Sequence, residues 1–169
     1  EVIARRQVHE LVSFLKEHSK AFDESALISI AVNIGIRESR KLKGVHILTA
    51  DEIINCTQFE DSIALCNYDI DIHSPDGSGT SHYFLPEGEY YSIPYRCLIP
   101  KGSKNLIVTG RCISADHEAQ ASLRIMPCCC SLGEAAGAAA FLSCEGSLPV
   151  NRISIDRLQE ILISKNAKI

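Results

Sequence analysis

Residues 105–141 read NLIVTGRCISADHEAQASLRIMPCCCSLGEAAGAAAF, and this segment gives the clearest structural pattern in the chain. The apolar run 106–109 predicts a short buried strand that ends at Gly110, followed by a polar loop. Pro127 is a favourable first helical residue, and the Gly and Ala residues of 133–140 predict a helix that packs closely against a sheet. We therefore expect a strand, a glycine turn, a loop and a helix whose N-terminus returns towards the end of the strand.

Apolar periodicity predicts further helices and strands outside this segment. The predicted helices are 5–18, 50–56 and 155–165, the second with a Thr49/Glu52 capping box and the third with Ser154 as its N-cap. The predicted strands are 26–32 and 36–42, or one strand bent at Gly35, together with 68–73 and 91–98. Pro94 places the last at an edge or a bulge because it has no N–H to donate. A turn at 74–80 and an exposed loop to about residue 88 are also expected. Together these elements indicate an α+β fold with a mixed sheet and amphipathic helices, folded as a single compact unit over 1–169.

Composition excludes several classes of protein. The 169 residues are 46% hydrophobic and 22% charged, as expected of one soluble domain. With 17 Lys and Arg against 21 Asp and Glu, no basic stripe is available to bind nucleic acid. No wholly apolar run approaches the roughly 20 residues of a membrane span, and no signal peptide is visible after Glu1. The eight cysteines lack paired spacing, which predicts reduced thiols in a cytoplasmic protein.

The junction between Gly110 and Pro127 is where chemistry is expected. A glycine at the end of a strand lets a phosphate, a ribityl chain or a ring edge approach the backbone. The N-terminus of the following helix carries unpaired N–H groups and a positive charge of roughly one half, which stabilises an anion at 127–130. A cofactor that gains negative charge on reduction suits that position.

Five stretches carry a resemblance to a known family: GIRESRKLKG (35–44), residues 49–53, DIDIHSPDG (69–77), YSIPYRCLIPKGSKNLIVTGRCISADHEA (91–119) and SLRIMPCCCSLGEAAGAAA (122–140). With these stretches, the chain resembles the C-terminal part of FAD-dependent oxidoreductases of the two-dinucleotide-binding-domain flavoprotein type. This resemblance implies FAD as cofactor and hydride transfer between a small organic substrate and flavin N5. It also implies substrate-region elements over 1–100, a flavin-contacting strand, loop and helix over 101–145, and a C-terminal helix over 146–169.

The resemblance also implies roles for individual residues. It places one group near the ribityl chain or flavin and a second at the N1/C2=O edge of the ring. These groups are Gly110, Arg111 and Ser114, and Met126, Pro127 and Cys128.

Two candidates for the reacting centre precede the helix. His117, in the expected loop, can act as an acid or a base, or it can be a surface residue beside Asp116 and Glu118. The resemblance implies that Arg124 orients an anionic substrate or reduced flavin; otherwise it is a loop cation.

The resemblance makes three arginines substrate candidates, because a planar guanidinium binds carboxylates well. These are Arg37, Arg40 and Arg96. For Arg37 and Arg40, paired charges on a surface strand are the alternative. Tyr95 and Arg96 point to opposite faces of the predicted strand, so at most one of them lines a pocket directly.

The chain lacks the GxGxxG motif that holds the ADP half of FAD in this family, since Gly77 and Gly79 are followed by Thr-Ser-His-Tyr. We therefore expect a C-terminal fragment of a longer flavoprotein that binds FAD weakly or not at all by itself. The expected partners are the missing N-terminal nucleotide-binding domain, a small-molecule substrate and a possible second copy of the chain. No membrane or nucleic-acid partner is expected.

Two clusters receive structural interpretations. Asp71, His73 and Asp76 are expected to form a solvated face rather than a metal site, because no supporting ligand motif accompanies them. Cys128, Cys129 and Cys130 are expected to be small packing residues, because successive helical residues diverge by about 100° and cannot converge on one metal.

One other function remains open, and a third is excluded by the sequence. The chain can be a non-catalytic interaction module or partner subunit that packs against a separate nucleotide-binding domain, and a monomer indifferent to FAD in gel filtration favours that alternative. A free-standing thiol-redox protein would need a CxxC motif, which the sequence does not contain.

Overall fold

Short antiparallel strand pairs and α-helices make up the part of the chain that the structure, a computed structural model, describes: residues 1–73 and 79–169. The helices are α1 (Val2–His18), α2 (Ala50–Ile54), α3 (His117–Leu123), α4 (Met126–Gly146) and α5 (Ile155–Ser164). The strands are β1 (Ser62–Cys66), β2 (Ile70–His73), β3 (Thr80–Tyr83) and β4 (Tyr91–Pro94). Short 3-10 helices lie at Lys20–Phe22, Tyr95–Leu98 and Val150–Arg152. The combination of helices and small sheets confirms an α+β fold.

The chain divides into two compact units, residues 1–36 and residues 37–169, rather than the single unit expected. The first contains the predicted amphipathic helix as α1, which buries none of its residues. The predicted strand 26–32 is wrong: the segment is irregular, and Val32 accepts a hydrogen bond from the Arg5 guanidinium at 2.8 Å. The predicted strand 36–42 is irregular as well. A short apolar run forms a strand only where a second strand pairs with it, and neither segment pairs with one.

Strands β1 and β4 pair antiparallel at the centre of the second unit. Ile63, Tyr91 and Ile93 are fully or almost fully buried there. The register shifts between Ser62 and Ala64, opposite the end of β4, and β4 ends at Pro94. The chain continues as a 3-10 helix, so the strand predicted over 91–98 is wrong after residue 94 although Pro94 lies beside the predicted irregularity. Strand β1 was not predicted.

Strands β2 and β3 form a second antiparallel pair. The alternation in 68–73 correctly predicted β2, in which Ile70 is buried and Ile72 packs partly against the core. Strand β3 lies where an exposed loop was expected, and the predicted turn at 74–80 includes residues 74–78, which lie outside the described residues. Both sheets in the described residues are antiparallel. Leu48 and Ala115 pair in parallel, but they form an isolated bridge outside these sheets. The expected mixed sheet is therefore wrong.

The segment before Gly110 is not the buried strand that was predicted. Residues 106–109 are irregular, Leu106 is exposed, and Val108 N–H donates to the Leu98 carbonyl at 2.9 Å. Gly110 does make a turn, with φ at +88°. The expected polar loop is wrong as well, because α3 begins at His117 after the N-cap Asp116, whose carboxylate accepts from Ala119 N–H at 2.7 Å.

Helix α4 confirms the prediction of a helix at Pro127, which lies in its first turn. Its core-facing residues recur every three or four positions and pack against β1 and α5; they are Cys128, Leu132, Ala135, Ala139 and Leu142. By length and apolar composition α4 could also cross a bilayer, which corrects the expectation that no segment is long enough. The core helix of a folded domain meets the same criterion, and Leu132, Ala135 and Ala139 are completely buried in this one. Helix α5 begins at the predicted cap, where Ser154 accepts from Arg157 N–H.

Candidate functional site

A cavity of about 500 Å³ opens at the N-terminus of α4. We call it the arginine cavity. Strand β2, helix α3 and the segments around residues 37 and 111 bring its walls together. Tyr68, Ala121 and Ile125 contribute to its wall. The residues that give it its chemistry are Arg37, Asp71, Arg111, Arg124, Met126 and Pro127.

The first turn of α4 is open towards this cavity. Its N-cap is Ile125, whose side chain has no hydrogen-bonding atom, and no described side chain caps the turn. The first helical hydrogen bond runs from Cys129 N–H to the Ile125 carbonyl at 3.0 Å. Because Pro127 has no N–H, the donors that precede the helical ladder are those of Met126 and Cys128. A helix of 21 residues directs the positive end of its dipole to the same place.

The side chains of the cavity add positive charge to that of the helix end. Among the described residues that line the cavity, three carry a guanidinium group, Arg37, Arg111 and Arg124, and one carries a carboxylate, Asp71. Arg124 is half-buried, and its Nη2 donates to the Asp71 carbonyl at 3.0 Å. Guanidinium groups have only donors and remain charged, so this arrangement favours an anionic ligand.

Gln120 joins the two exposed arginines through their backbones. Its Nε2 donates to the carbonyls of Arg37 and Arg111, both at 3.0 Å. The residue is 1% exposed, and its Oε1 has no hydrogen-bond partner among the described residues. Sequence reasoning missed it, and the only signal in the sequence is one amide among the small residues of HEAQASL.

The structure brings five of the predicted site residues together. Arg111, Met126 and Pro127 were assigned to the flavin, Arg124 to the reacting centre and Arg37 to the substrate, and all five line the arginine cavity. Gly110 lies next to Arg111 and turns the chain there with its positive φ. The close approach of 110 and 127 predicted from the sequence is consistent with Arg111 and Pro127 lining one cavity.

Two residues assigned to the flavin are instead part of the protein core. Ser114 is completely buried, and its Oγ accepts a hydrogen bond from Gly44 N–H at 3.0 Å. Gly44 leaves no room for a side chain there, since a Cβ would lie 2.6 Å from that of Ser114. Cys128 is buried on the core face of α4, so its side chain does not line the cavity although its backbone belongs to the open turn.

His117 does not line the cavity either. It occupies the first position of α3 rather than a loop, and its Nδ1 lies 2.8 Å from Glu38 Oε2. Glu38 also pairs with Lys41 at 2.9 Å. Burial raises the pKa of the Glu38 carboxyl, but the hydrogen bonds from His117 and Lys41 outweigh burial and hold that pKa below its usual value. The geometry therefore places His117 beside Glu38 at the surface rather than beside the arginines of the cavity.

Two substrate candidates also lie elsewhere. Arg40 is exposed and lines none of the cavities described. Arg96 donates to both oxygens of Asp61, at 2.9 and 3.1 Å, which raises the pKa of the guanidinium. It lines a different cavity of about 520 Å³, to which Tyr95 also contributes. A bidentate pair with Asp61 leaves Arg96 neutralised rather than open to a substrate.

The three consecutive cysteines diverge as predicted. Cys128 is buried, Cys129 is partly buried and Cys130 is exposed, and all eight cysteines are free thiols. A hydrogen bond with Cys128 lowers the pKa of the Cys66 thiol and raises that of Cys128. Together with Tyr91 they form a buried polar cluster directly behind the first turn of α4.

No group of three His, Cys, Asp or Glu side chains in the described part of the chain is arranged to bind a metal ion. Asp71 lies in the arginine cavity, whereas Asp76 lies outside the described residues. The expectation that the chain has no metal site stays a prediction.

A family model described as FAD dependent oxidoreductase matches residues 1–162. The chain belongs to the FAD-dependent oxidoreductase family. Comparisons with curated proteins and with solved structures find no match. Membership of the FAD-dependent oxidoreductases supports the oxidoreductase class and the cofactor that the sequence predicted.

Proposed function

We propose that this chain forms the flavin-ring and substrate side of a cytoplasmic FAD-dependent oxidoreductase. We further propose that it is the C-terminal part of a longer protein, whose N-terminal domain holds the ADP half of FAD. The observation that supports this proposal is the arginine cavity at the open end of α4. When bound, FAD supplies hydride chemistry at N5, and the protein supplies binding, orientation and electrostatics.

The donors of the cavity fit the pyrimidine edge of a flavin. That edge presents acceptors, and reduction adds negative charge to it. The N–H groups of Met126 and Cys128 and the dipole of α4 present only donors and positive charge. In this proposal Met126, Pro127 and the backbone of Cys128 hold the ring edge, and Gly110 brings the chain close to it without a side chain.

Arg37 and Arg124 are proposed to bind the substrate through an anionic group. Both line the same cavity as Arg111, and Arg124 is oriented by its hydrogen bond to the Asp71 carbonyl. A guanidinium fixed before the substrate arrives stabilises negative charge without having to reorganise. His117 takes no part in this proposal because it pairs with Glu38.

The test is the amount of flavin that the full-length protein retains after purification. Gly110→Asp places a carboxylate beside the proposed ring site, so we expect bound flavin to be lost. Gly102→Asp is a matched control: Gly102 has φ at +87° and Gly110 has φ at +88°, and a Cβ would meet no atom within 4 Å at either position. Both substitutions therefore place a side chain at nearly the same positive φ and in open space.

Loss of flavin in Gly110→Asp with retention in Gly102→Asp supports the proposal. Equal flavin content in both variants and in the unaltered protein contradicts it. A stoichiometrically flavin-loaded preparation of the 169-residue chain would contradict the proposal that a separate domain holds the ADP half.

A further inference from the structure

We infer that Gln120 is a positioning residue, which sets the spacing of Arg37 and Arg111 so that the two guanidinium groups bind one dianionic or dicarboxylate ligand together. This inference rests on the proposed function, because it requires that the arginine cavity binds an anion. It adds a residue that contacts no ligand itself.

The geometry of the amide leaves one orientation. Gln120 Nε2 lies 3.0 Å from the Arg37 carbonyl and 3.0 Å from the Arg111 carbonyl. Both partners are oxygens that only accept, so the nitrogen, with its two N–H donors, must face them. One side chain thus joins two segments that lie 83 and 9 residues from it in the sequence.

The burial of Gln120 indicates that these two bonds matter. The residue is almost completely buried, and its Oε1 has no partner among the described residues. A buried amide oxygen without a hydrogen bond destabilises a fold, and a leucine or methionine of similar size would avoid that cost. The polar residue is therefore explained by the two carbonyls that it holds.

Neither arginine lies in a helix or strand that would fix it. Arg37 begins an irregular segment, and Arg111 follows the Gly110 turn. The two segments are also joined further along, where Leu42 N–H donates to the Cys112 carbonyl at 2.8 Å. Gln120 provides the connection at the end where the arginines enter the cavity.

Helix α3 also holds the backbone of the third arginine, Arg124. Arg124 caps its C-terminus, and its N–H donates to the Gln120 carbonyl at 3.2 Å. The side chain of Gln120 thus holds Arg37 and Arg111, and its backbone holds Arg124. One short helix therefore holds the backbones from which all three arginine side chains extend.

The experiment titrates the 169-residue chain with malonate and follows the Nε–H resonances of the arginines by NMR. We expect Arg37 and Arg111 to respond together in the unaltered chain, and Gln120→Met to weaken malonate binding by roughly tenfold, the effect of losing two ordinary hydrogen bonds. Binding of formate, which one guanidinium holds, should change little. A general loss of structure would weaken the binding of both ligands, whereas a loss of arginine spacing would weaken only that of malonate.

Gln159→Met is the matched control. Gln159 also donates through Nε2 to two backbone carbonyls, those of Glu60 and Ser62, at 2.9 and 3.0 Å, but it does not line the arginine cavity. Malonate affinity should therefore be unchanged in Gln159→Met.

Two results overturn the inference in different ways. Unchanged malonate affinity in Gln120→Met, with weaker binding in Arg124→Met, removes the positioning role and leaves the anion site intact. Failure of the unaltered chain to bind malonate overturns the inference and the proposed anionic-substrate site, whereas the proposed flavin site is tested separately by flavin retention in Gly110→Asp.

A measurement on the unaltered chain applies even where Gln120→Met fails to fold. The side-chain amide protons of Gln120 should exchange with solvent far more slowly than those of the exposed Gln7. Equally fast exchange would show that the amide does not hold the two carbonyls.

Discussion

Replacing glycine by alanine should have opposite effects on stability at Gly110 and at Gly137. Gly110 has φ at +88°, whereas Gly137 is an exposed residue of α4, and a Cβ would meet no atom within 4 Å at either position. Gly110→Ala should lower the free energy of unfolding by about 1 kcal/mol through backbone strain alone. Gly137→Ala should raise it by about 0.5–1 kcal/mol, because alanine favours the helix. Urea denaturation of both variants measures these shifts, and shifts of the same sign would refute this explanation.

Burial predicts which cysteines react. Desolvation raises the pKa of the Cys97 thiol to about 12, so almost none of it is thiolate at neutral pH. Iodoacetamide should therefore modify the exposed Cys112, Cys130 and Cys144 in the native protein and spare Cys97 until urea unfolds it. Mass spectrometry of the labelled peptides shows the order. Early labelling of Cys97 in the native protein would contradict its burial.

The same raised pKa has a consequence for stability. Folding favours the neutral thiol of Cys97, so its contribution is complete below the unfolded pKa of about 8.5 and is lost as the pH rises towards the folded value of about 12. Stability should consequently fall with alkaline pH over that interval, and less steeply in Cys97→Ala.

Asp116 connects the N-termini of two helices. Its Oδ1 accepts from Ala119 N–H in α3 at 2.7 Å, and its Oδ2 accepts from Ala50 N–H in α2 at 2.8 Å. Since one lost cap destabilises a protein by about 1 kcal/mol, Asp116→Ala should cost about 2 kcal/mol. Ser154→Ala, which removes a single cap from α5, should cost about half as much. Equal losses in urea denaturation would show that the bond to α2 contributes nothing.

Helix ends were the elements best predicted from the sequence. Each of three signals correctly predicted the start of a helix: the Thr49/Glu52 capping box, Pro127 and Ser154. These signals are local and need no distant partner. Short apolar runs predicted strands poorly: 26–32, 36–42 and 106–109 are irregular, because a strand depends on pairing that a single segment does not encode.

The sequence predicted only part of the candidate site, because some of its contacts depend on residue type and others on the backbone. The side chains of Arg37, Arg111 and Arg124 were recognisable by residue type and by family resemblance, and they meet in one cavity. Gln120 was missed because its partners are backbone carbonyls, which every residue has. The side chains of Ser114 and Cys128 are buried in the core, which the motif did not reveal because it does not show which way a side chain points.

Burial is distributed unequally over the protein. No residue of 1–36 is buried, whereas the hydrophobic core runs from Leu48 to Leu162. Segments with few buried contacts open at low free energy. Hydrogen exchange should therefore be fastest in α1 and slowest in the core-facing part of α4, as measured by mass spectrometry on the intact chain. Protection of α1 equal to that of α4 would contradict this distribution of stability.

The claim that the arginine cavity receives the flavin ring is tested most directly by NMR on the full-length protein with and without FAD. The Nε–H resonances of Arg37, Arg111 and Arg124 should shift when FAD binds. Those of Arg96, paired with Asp61, and of Arg157, paired with Glu160, should not. Stoichiometric FAD binding that leaves all three cavity arginines unchanged would contradict the account.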